Sequence, residues 1–206
     1  MPTRPLTLVL AAFLAASLSF AAHAATVNVV VNDAAGRPIP DAVVMLEPVT
    51  GTLPTRPLGT VEIAQIRRQF TPAVTVVTVG TPVTFPNQDT VRHHVYSFSP
   101  AKNFELKLYA GSPHAPVVFD KPGIAVLGCN IHDQMTAWVV VVDTPLHTRS
   151  STAGRASIGS VPAGAYRLRA WHPGMPGQAE PTSTPISVAQ ADVEQRVQLN
   201  LAATPK

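Results

Sequence analysis

The loop at residues 128–135 carries three side chains that could bind a soft metal ion. Cys129 is the only cysteine of the chain, His132 follows it by three positions, and Met135 follows the histidine by three more. One further imidazole would complete a trigonal His₂Cys site with a weak axial methionine, the ligand set that is diagnostic of blue copper. The spacing therefore predicts one bound copper ion.

The second imidazole is expected from two adjacent histidines, His93 and His94, in the segment at residues 91–98. Successive side chains of a strand point to opposite faces, so only one of the pair can point inward. Register depends on which face is buried. Both histidines therefore stay open as the ligand, and His93 is favoured.

Other roles for these residues are weaker explanations. A lone cysteine often packs as a small hydrophobic residue, and a methionine after a strand often belongs to the core. However, an exported lone thiol cannot form an internal disulfide, and metal ligation gives it a role. Structural zinc needs four firm ligands, which a thioether does not supply. Iron–sulfur clusters need several thiolates, and this chain has one.

The first 24 residues have the pattern of a secretory signal peptide. Arg4 supplies the positive start, residues 6–20 the apolar centre, and residues 22–24 a cleavage site of A-x-A type. The apolar run is short and has no stop-transfer flank, and no later stretch is long enough to span a bilayer. We expect a mature protein that starts near Ala25 in the periplasm.

Charge and motif content exclude other classes of function. Fifteen Lys and Arg against twelve Asp and Glu give a net charge of +3, which becomes +2 without Arg4. There is no basic cluster with interleaved aromatic residues, so nucleic acid is not an expected partner. The pair Arg67-Arg68 is interpreted as a solvated turn. No Ser-His-Asp spacing, acid pair or second metal cluster is evident, so we do not expect an enzyme.

The composition indicates an all-β protein. The chain has 21 prolines and 12 glycines, is rich in Val and Thr, and shows no sustained helical periodicity. The apolar run at residues 124–127 is expected to deliver Cys129 from the end of a strand. Residues 138–142 are apolar on both faces, which predicts a central strand buried on both sides.

Over roughly residues 61–143 the chain resembles the cupredoxins. Val83-Thr84-Phe85-Pro86-Asn87, with a histidine six positions after the asparagine, resembles the first ligand strand of plastocyanin-like proteins. Cys-x-x-His-x-x-Met before a Val-rich strand resembles the C-terminal ligand loop of amicyanin. The resemblance implies a Greek-key β-sandwich that binds one copper ion at one end. The ligands that it implies are His93, Cys129, His132 and Met135.

A second resemblance concerns the flanking segments. Residues 29–44 and 154–168 resemble the two halves of a carboxypeptidase regulatory-like, or prealbumin-like, domain. We therefore expect a discontinuous β-sandwich made of residues 25–57 plus 144–206, with a copper domain at 58–143 inserted into it, because insertions are tolerated at exposed loops. The alternative is a cupredoxin with decorated ends.

These features together predict a periplasmic type 1 copper protein. It would carry single electrons between a redox partner such as a dehydrogenase or other oxidoreductase and a cytochrome. The loop spacing suggests amine oxidation as one circuit, by analogy alone. The alternatives are a protein that sequesters or delivers copper without electron transfer, and a structural secreted β module.

Overall fold

The computed structural model describes residues 24–202 except His114 and Gln178, so the predicted signal peptide lies outside the described residues. In this part of the chain every regular element is a strand, and the all-β prediction is confirmed. No described segment forms a helix long and apolar enough to cross a membrane.

The described residues form seventeen strands. In chain order they are β1 Ala25–Asp33, β2 Val43–Pro48, β3 Val61–Glu62, β4 Ala64–Ile66, β5 Gln69–Thr71, β6 Val74–Thr78, β7 Thr81–Thr84, β8 His93–Ser99, β9 Lys102–Tyr109, β10 Val117–Phe119, β11 Gly123–Cys129, β12 Thr136–Val142, β13 His147–Arg149, β14 Arg155–Val161, β15 Gly164–Trp171, β16 Thr182–Val188 and β17 Val193–Leu199.

Residues 61–142 build what we call the central sandwich. One sheet has the order β6-β12-β11-β8-β9, a second has the order β10-β7-β3, and β4 and β5 form a short hairpin. A single apolar core receives side chains from both larger sheets, including Val83, Phe119 and Leu127. Alternate residues of β11 are buried, as expected for a strand with one face on a core. This arrangement fixes which face of each ligand-bearing strand points inward.

Strand β12 is buried on both faces, as its continuous apolar sequence predicts. Val139 and Val141 lie in the core of the central sandwich, whereas Val140 and Val142 belong to a separate cluster on the opposite face. Neighbouring strands cover both edges, because β11 pairs antiparallel and β6 pairs parallel with β12.

The strands that precede and follow residues 61–142 build a second, flanking sandwich. Its sheets have the orders β13-β2-β15-β16 and β14-β1-β17, and one core receives side chains from both. Strand β1 runs parallel to β17 and antiparallel to β14. Residues separated by more than a hundred positions are therefore direct neighbours.

The two sandwiches contact each other through the outer faces of β2, β12 and β15. Met45, Val140 and Trp171 belong to this apolar cluster, and Trp138 packs against it. The rings of Trp138 and Trp171 are 6.5 Å apart between centroids. The β12 face that points away from the central core is therefore buried by the flanking sandwich.

Glycine is required at the end of β11, where the strand passes under an aromatic ring. Gly128 pairs with Tyr96 across β8 and β11. A β-carbon at Gly128 would lie 2.7 Å from Cζ and Oη of Tyr96, inside van der Waals contact. The bare backbone next to Cys129 therefore makes room for the Tyr96 ring.

Gly128→Ala is expected to destabilise the protein by about 1–3 kcal/mol, because overpacking forces a ring or strand to move. Urea unfolding followed by circular dichroism measures the loss. Gly159→Ala is the matched control, since Gly159 also lies in a strand and has no atom within 4 Å of the added carbon. Equal unfolding midpoints for the two variants would contradict the predicted clash.

Candidate metal centre

Three potential metal ligands from two distant parts of the chain converge at one end of the central sandwich. His93 begins β8, Cys129 ends β11, and His132 lies in the loop that follows. One ligand atom of each lies within 4.8 Å of the other two. Cys129 Sγ is 3.7 Å from His93 Nδ1 and 3.6 Å from His132 Nδ1. The strand pairing of β8 with β11, at Cys129 and Val95, accounts for the approach.

The spacing of these donors fits a first-row metal ion. Bonds of about 2.0 Å to imidazole nitrogen and about 2.3 Å to thiolate sulfur, at angles of roughly 109–120°, put sulfur and nitrogen about 3.5–3.7 Å apart. The observed distances of 3.7 and 3.6 Å match that range. Among the described residues no carboxylate or third imidazole joins the cluster. Two imidazoles and one thiolate are the equatorial set that suits copper.

The two adjacent histidines point to opposite sides of β8. His93 is fully buried and its Nδ1 faces Cys129. His94 lies on the outer face, where its Nε2 is 2.9 Å from Glu105 Oε1 but without hydrogen-bond geometry. The His94 ring also packs edge-on against Tyr96. Of the pair, the structure brings His93 to the thiol.

A carboxylate fixes the orientation of the His93 ring. Asp89 Oδ2 lies 2.8 Å from His93 Nε2, which leaves Nδ1 free to face Cys129. Nδ1, the candidate ligand atom, and Nε2, which Asp89 holds, are therefore on opposite sides of the ring. Such a partner on the far nitrogen sets the tautomer and ring orientation of a ligand histidine and raises its basicity.

Asp89 is itself held by the turn between β4 and β5. The backbone N–H of Arg67 donates to one carboxylate oxygen at 2.6 Å, and that of Arg68 donates to the other at 2.8 Å. Both arginines have positive φ angles, 52° and 58°, which aim consecutive N–H groups at one acceptor. Partial burial acts to raise the pKa of Asp89, but these hydrogen bonds and the His93 ring lower it below its ordinary value.

Two buried polar side chains support the surrounding loops. Asn87 donates to the carbonyl oxygens of Val91 and Tyr109, at 2.8 and 3.1 Å, and accepts from the Asp89 N–H at 2.9 Å. The Tyr109 hydroxyl donates to the Phe85 carbonyl at 2.6 Å. Burial raises the pKa of Tyr109 to about 12 and outweighs the hydrogen bond from Gln65, which acts to lower it. Tyr109 therefore stays a neutral donor at physiological pH.

The ligand loop turns back twice before β12. His132 N–H donates to the Cys129 carbonyl at 3.3 Å, and Met135 N–H donates to the His132 carbonyl at 2.9 Å. Met135 returns to the core that contains Cys129 and is only 1% exposed. His132 is partly exposed, and its neighbour Ile131 is 51% exposed. Both ends of the loop are thus buried, at Cys129 and Met135, and its middle lies at the surface.

Sequence reasoning missed two features of this centre. The side chains of Arg67 and Arg68 are exposed, as expected for a solvated turn, but the backbone N–H groups of this turn hold Asp89, and only its conformation reveals this. Sequence reasoning gave no role to Gly128, for which the sole signal is a glycine directly before a ligand cysteine. The support that Asp89 gives to the His93 ring is likewise visible only in the structure.

The fold and the cluster define a class: an all-β protein of two sandwiches with a largely buried His-Cys-His group at one end of a strand pair. No family model matches the chain, and no curated protein matches it. The comparison with solved structures does find similar chains.

A Cu-containing nitrite reductase from Thermus scotoductus SA-01 is 27% identical, with a TM-score of 0.38; the match covers 47% of this chain and 25% of the reductase. A purple cupredoxin from Nitrosopumilus maritimus is 22% identical, with a TM-score of 0.35; it covers 41% of this chain and 99% of the cupredoxin. An oxidised amicyanin mutant is 15% identical, with a TM-score of 0.37, and covers 48% and 99%. Because these TM-scores are below 0.5, support for a copper site comes from the donor atoms of this chain.

Proposed function

We propose that the protein is a type 1 copper protein that carries single electrons in the periplasm. One observation carries this proposal: the Nδ1 atoms of His93 and His132 both lie within 3.7 Å of Cys129 Sγ. His93 and Cys129 are buried. Copper bound there would supply a one-electron couple. The proposed ligands are His93, Cys129 and His132, with Met135 as a weak axial ligand.

The surroundings of the donors favour electron transfer over loose metal carriage. His93 is held by Asp89, and Cys129 is held by strand pairing, so two of the donors keep their positions whether or not a metal is present. Such preorganised ligands suit a resident ion. A carrier that delivers copper needs ligands that open easily. The rigid side of the cluster therefore favours a redox role.

His132 is the proposed exit for the electron. Its ring is partly exposed and lies beside the exposed side chain of Ile131, so a partner could approach to within van der Waals distance of a ligand. The proposed partner is a redox protein, either a cytochrome or the oxidoreductase that reduces this carrier. The proposed compartment follows from the signal-peptide pattern of the first 24 residues.

The domain organisation that we propose follows the two apolar cores. The copper domain would comprise residues 58–143, inserted into a carboxypeptidase regulatory-like sandwich of residues 25–57 plus 144–206. Support comes from the separate core clusters and from sheets that join strands on both sides of the insertion. In this arrangement the flanking sandwich holds the copper domain through the outer face of β12.

A visible absorption spectrum of the Cu(II)-loaded, full-length mature protein tests the proposal. An intense charge-transfer band that disappears on reduction and returns on reoxidation is expected for an electron carrier. A protein that binds Cu(I) but loses it quickly to a chelator, with no such band, would instead be a copper-handling protein. A colourless protein that folds equally well without copper would be a structural module.

Separate substitution of the two adjacent histidines tests the ligand assignment. His93→Gln is expected to remove the visible band, because it deletes the nitrogen that faces Cys129. His94→Gln, the matched control on the opposite face, is expected to keep the band. Absorption after equal copper loading measures both. Loss of the band in His94→Gln with retention in His93→Gln would reverse the assignment.

A further inference from the structure

A large cleft lies where the two sandwiches face each other. Its volume is about 920 Å³, near the upper end of the range for small-molecule sites, and it is partly open to solvent. Met45, Trp138 and Trp171 line its apolar part. Nothing in the copper proposal uses this cleft, since the metal ligands lie outside its lining.

One wall of the cleft is a row of charged side chains on β2 and β15. Glu47 accepts from Arg169 Nη1 at 3.2 Å, and its other oxygen lies 3.6 Å from Arg167 Nε. Arg169 Nη2 lies 3.5 Å from Glu180. Donors and acceptors thus alternate along the wall. The opposite wall, from β11 and β12, is apolar and includes Ile124 and Val126.

The formal charges of the residues that line the cleft sum to zero. Three cationic residues and three anionic residues line it: Lys121, Arg167, Arg169, Glu47, Asp143 and Glu180. An anionic or cationic ligand would therefore meet as many like charges as opposite ones. A wholly apolar ligand would strip water from ion pairs without replacing it, which costs free energy.

One buried donor in the charged wall lacks a partner. Arg169 Nε is buried and makes no hydrogen bond with any described residue. Arg169 Nε itself is out of reach of a molecule in the cleft, but the neighbouring Arg167 side chain is half exposed, and its guanidinium can donate to an acceptor oxygen of a bound molecule. Trp171 is buried, whereas the Trp138 ring is partly exposed and offers flat apolar surface with a polar edge. Together these features favour a neutral ligand with hydroxyl groups and a flat apolar face.

We propose that this cleft binds a neutral oligosaccharide. Each sugar hydroxyl both donates and accepts, which matches a wall of alternating guanidinium donors and carboxylate acceptors. The C–H face of a pyranose ring would lie against the exposed part of Trp138 and the apolar wall. The two sandwiches would then form the sugar-binding site together, and the site is independent of the metal.

Intrinsic fluorescence reports on this cleft specifically, because the chain has two tryptophans and both line the cleft. Titration of the mature protein with cellotetraose, chitotetraose and maltotetraose is expected to give a saturable change in tryptophan emission with at least one of them. Isothermal titration calorimetry of the same mixtures checks for binding that leaves the emission unchanged. The absence of both signals with all three sugars overturns the proposal.

Substitutions in the charged wall test the mode of binding. Arg167→Gln and Glu47→Gln are each expected to raise the dissociation constant by roughly tenfold or more, the effect of losing one hydrogen bond to a charged group. Arg167 is half exposed, so its replacement leaves the cores intact. Arg37→Gln, which removes an exposed arginine paired with Asp33 in a distant turn, is the matched control. Equal affinities in all three variants, or binding of benzoate or choline in place of the sugars, overturn the proposal.

Discussion

Cys129→Ser is expected to abolish the intense visible absorption of the Cu(II)-loaded protein. The band requires charge transfer from a thiolate to the metal, and a serine hydroxyl is neither a thiolate nor a soft ligand. Because Cys129 is the only cysteine in the chain, no other thiol can replace it. Absorption and electron paramagnetic resonance spectra of equally loaded samples measure the change.

Two further variants test whether the visible band is lost because the thiolate is missing. Cys129→Ala should lose the band as well, which excludes an effect of the serine hydroxyl on the buried site. Met135→Leu, a volume-conserving change in the same loop, should keep the band while its reduction potential changes. If Cys129→Ser kept its colour, the assignment of the thiolate as a ligand would be wrong.

Asp89→Asn is expected to weaken both copper binding and the fold. The carboxylate accepts from two backbone N–H groups and holds the ring of a buried histidine. Removal of such a partner typically lowers metal affinity about 10–100-fold. Loss of hydrogen bonds to a charged group should lower the free energy of unfolding by about 1.5–3 kcal/mol. Competitive chelator titration and urea unfolding measure the two effects.

The contribution of Asp89 should also depend on pH, with a sign that follows from its lowered pKa. A carboxyl whose pKa is lower when folded stabilises the fold above its unfolded value, here 3.8. That stabilisation is lost as the pH falls through the lower folded value. The difference in unfolding free energy between wild type and Asp89→Asn should therefore be constant near neutral pH and shrink below about pH 4.

Asp120→Asn is the matched control for Asp89→Asn. Asp120 also carries a lowered pKa, from hydrogen bonding to Lys102, but it is exposed and its ion pair does not involve the candidate metal ligands. Its loss should leave the urea unfolding midpoint nearly unchanged, because solvent screens exposed ion pairs. Copper affinity should stay the same. If the two asparagine variants behaved alike, the proposed support of His93 by Asp89 would be wrong.

The part of the metal centre that sequence could predict is the part that is local. Cys129, His132 and Met135 share one loop, so their spacing alone suggests a ligand set. The choice between His93 and His94 depended on the register of β8 against β11, a pairing of residues more than thirty positions apart. One position of slip would exchange the two faces, so no local pattern could decide it.

The supporting groups were harder to predict because they act through the backbone. Asp89 is held by N–H groups of a turn more than twenty residues upstream, and any residue type carries such a group. Strand β12 shows the same contrast between a local pattern and a long-range contact. The continuous apolar run of β12 predicted burial on both faces, whereas its parallel pairing with β6 is a long-range contact with no sequence signature.

The pairing of β1 with β14 and β17 has a consequence for the order of folding. Asn28 lies opposite Ser157 and Glu194, so β1 can pair along both edges only after nearly the whole chain has been synthesised. The strands within residues 61–142 find all of their sheet partners among themselves. During vectorial synthesis, the histidine and cysteine donors can therefore come together while the edges of β1 are still unpaired. Premature chain termination beyond β12 would leave those edges exposed to aggregation.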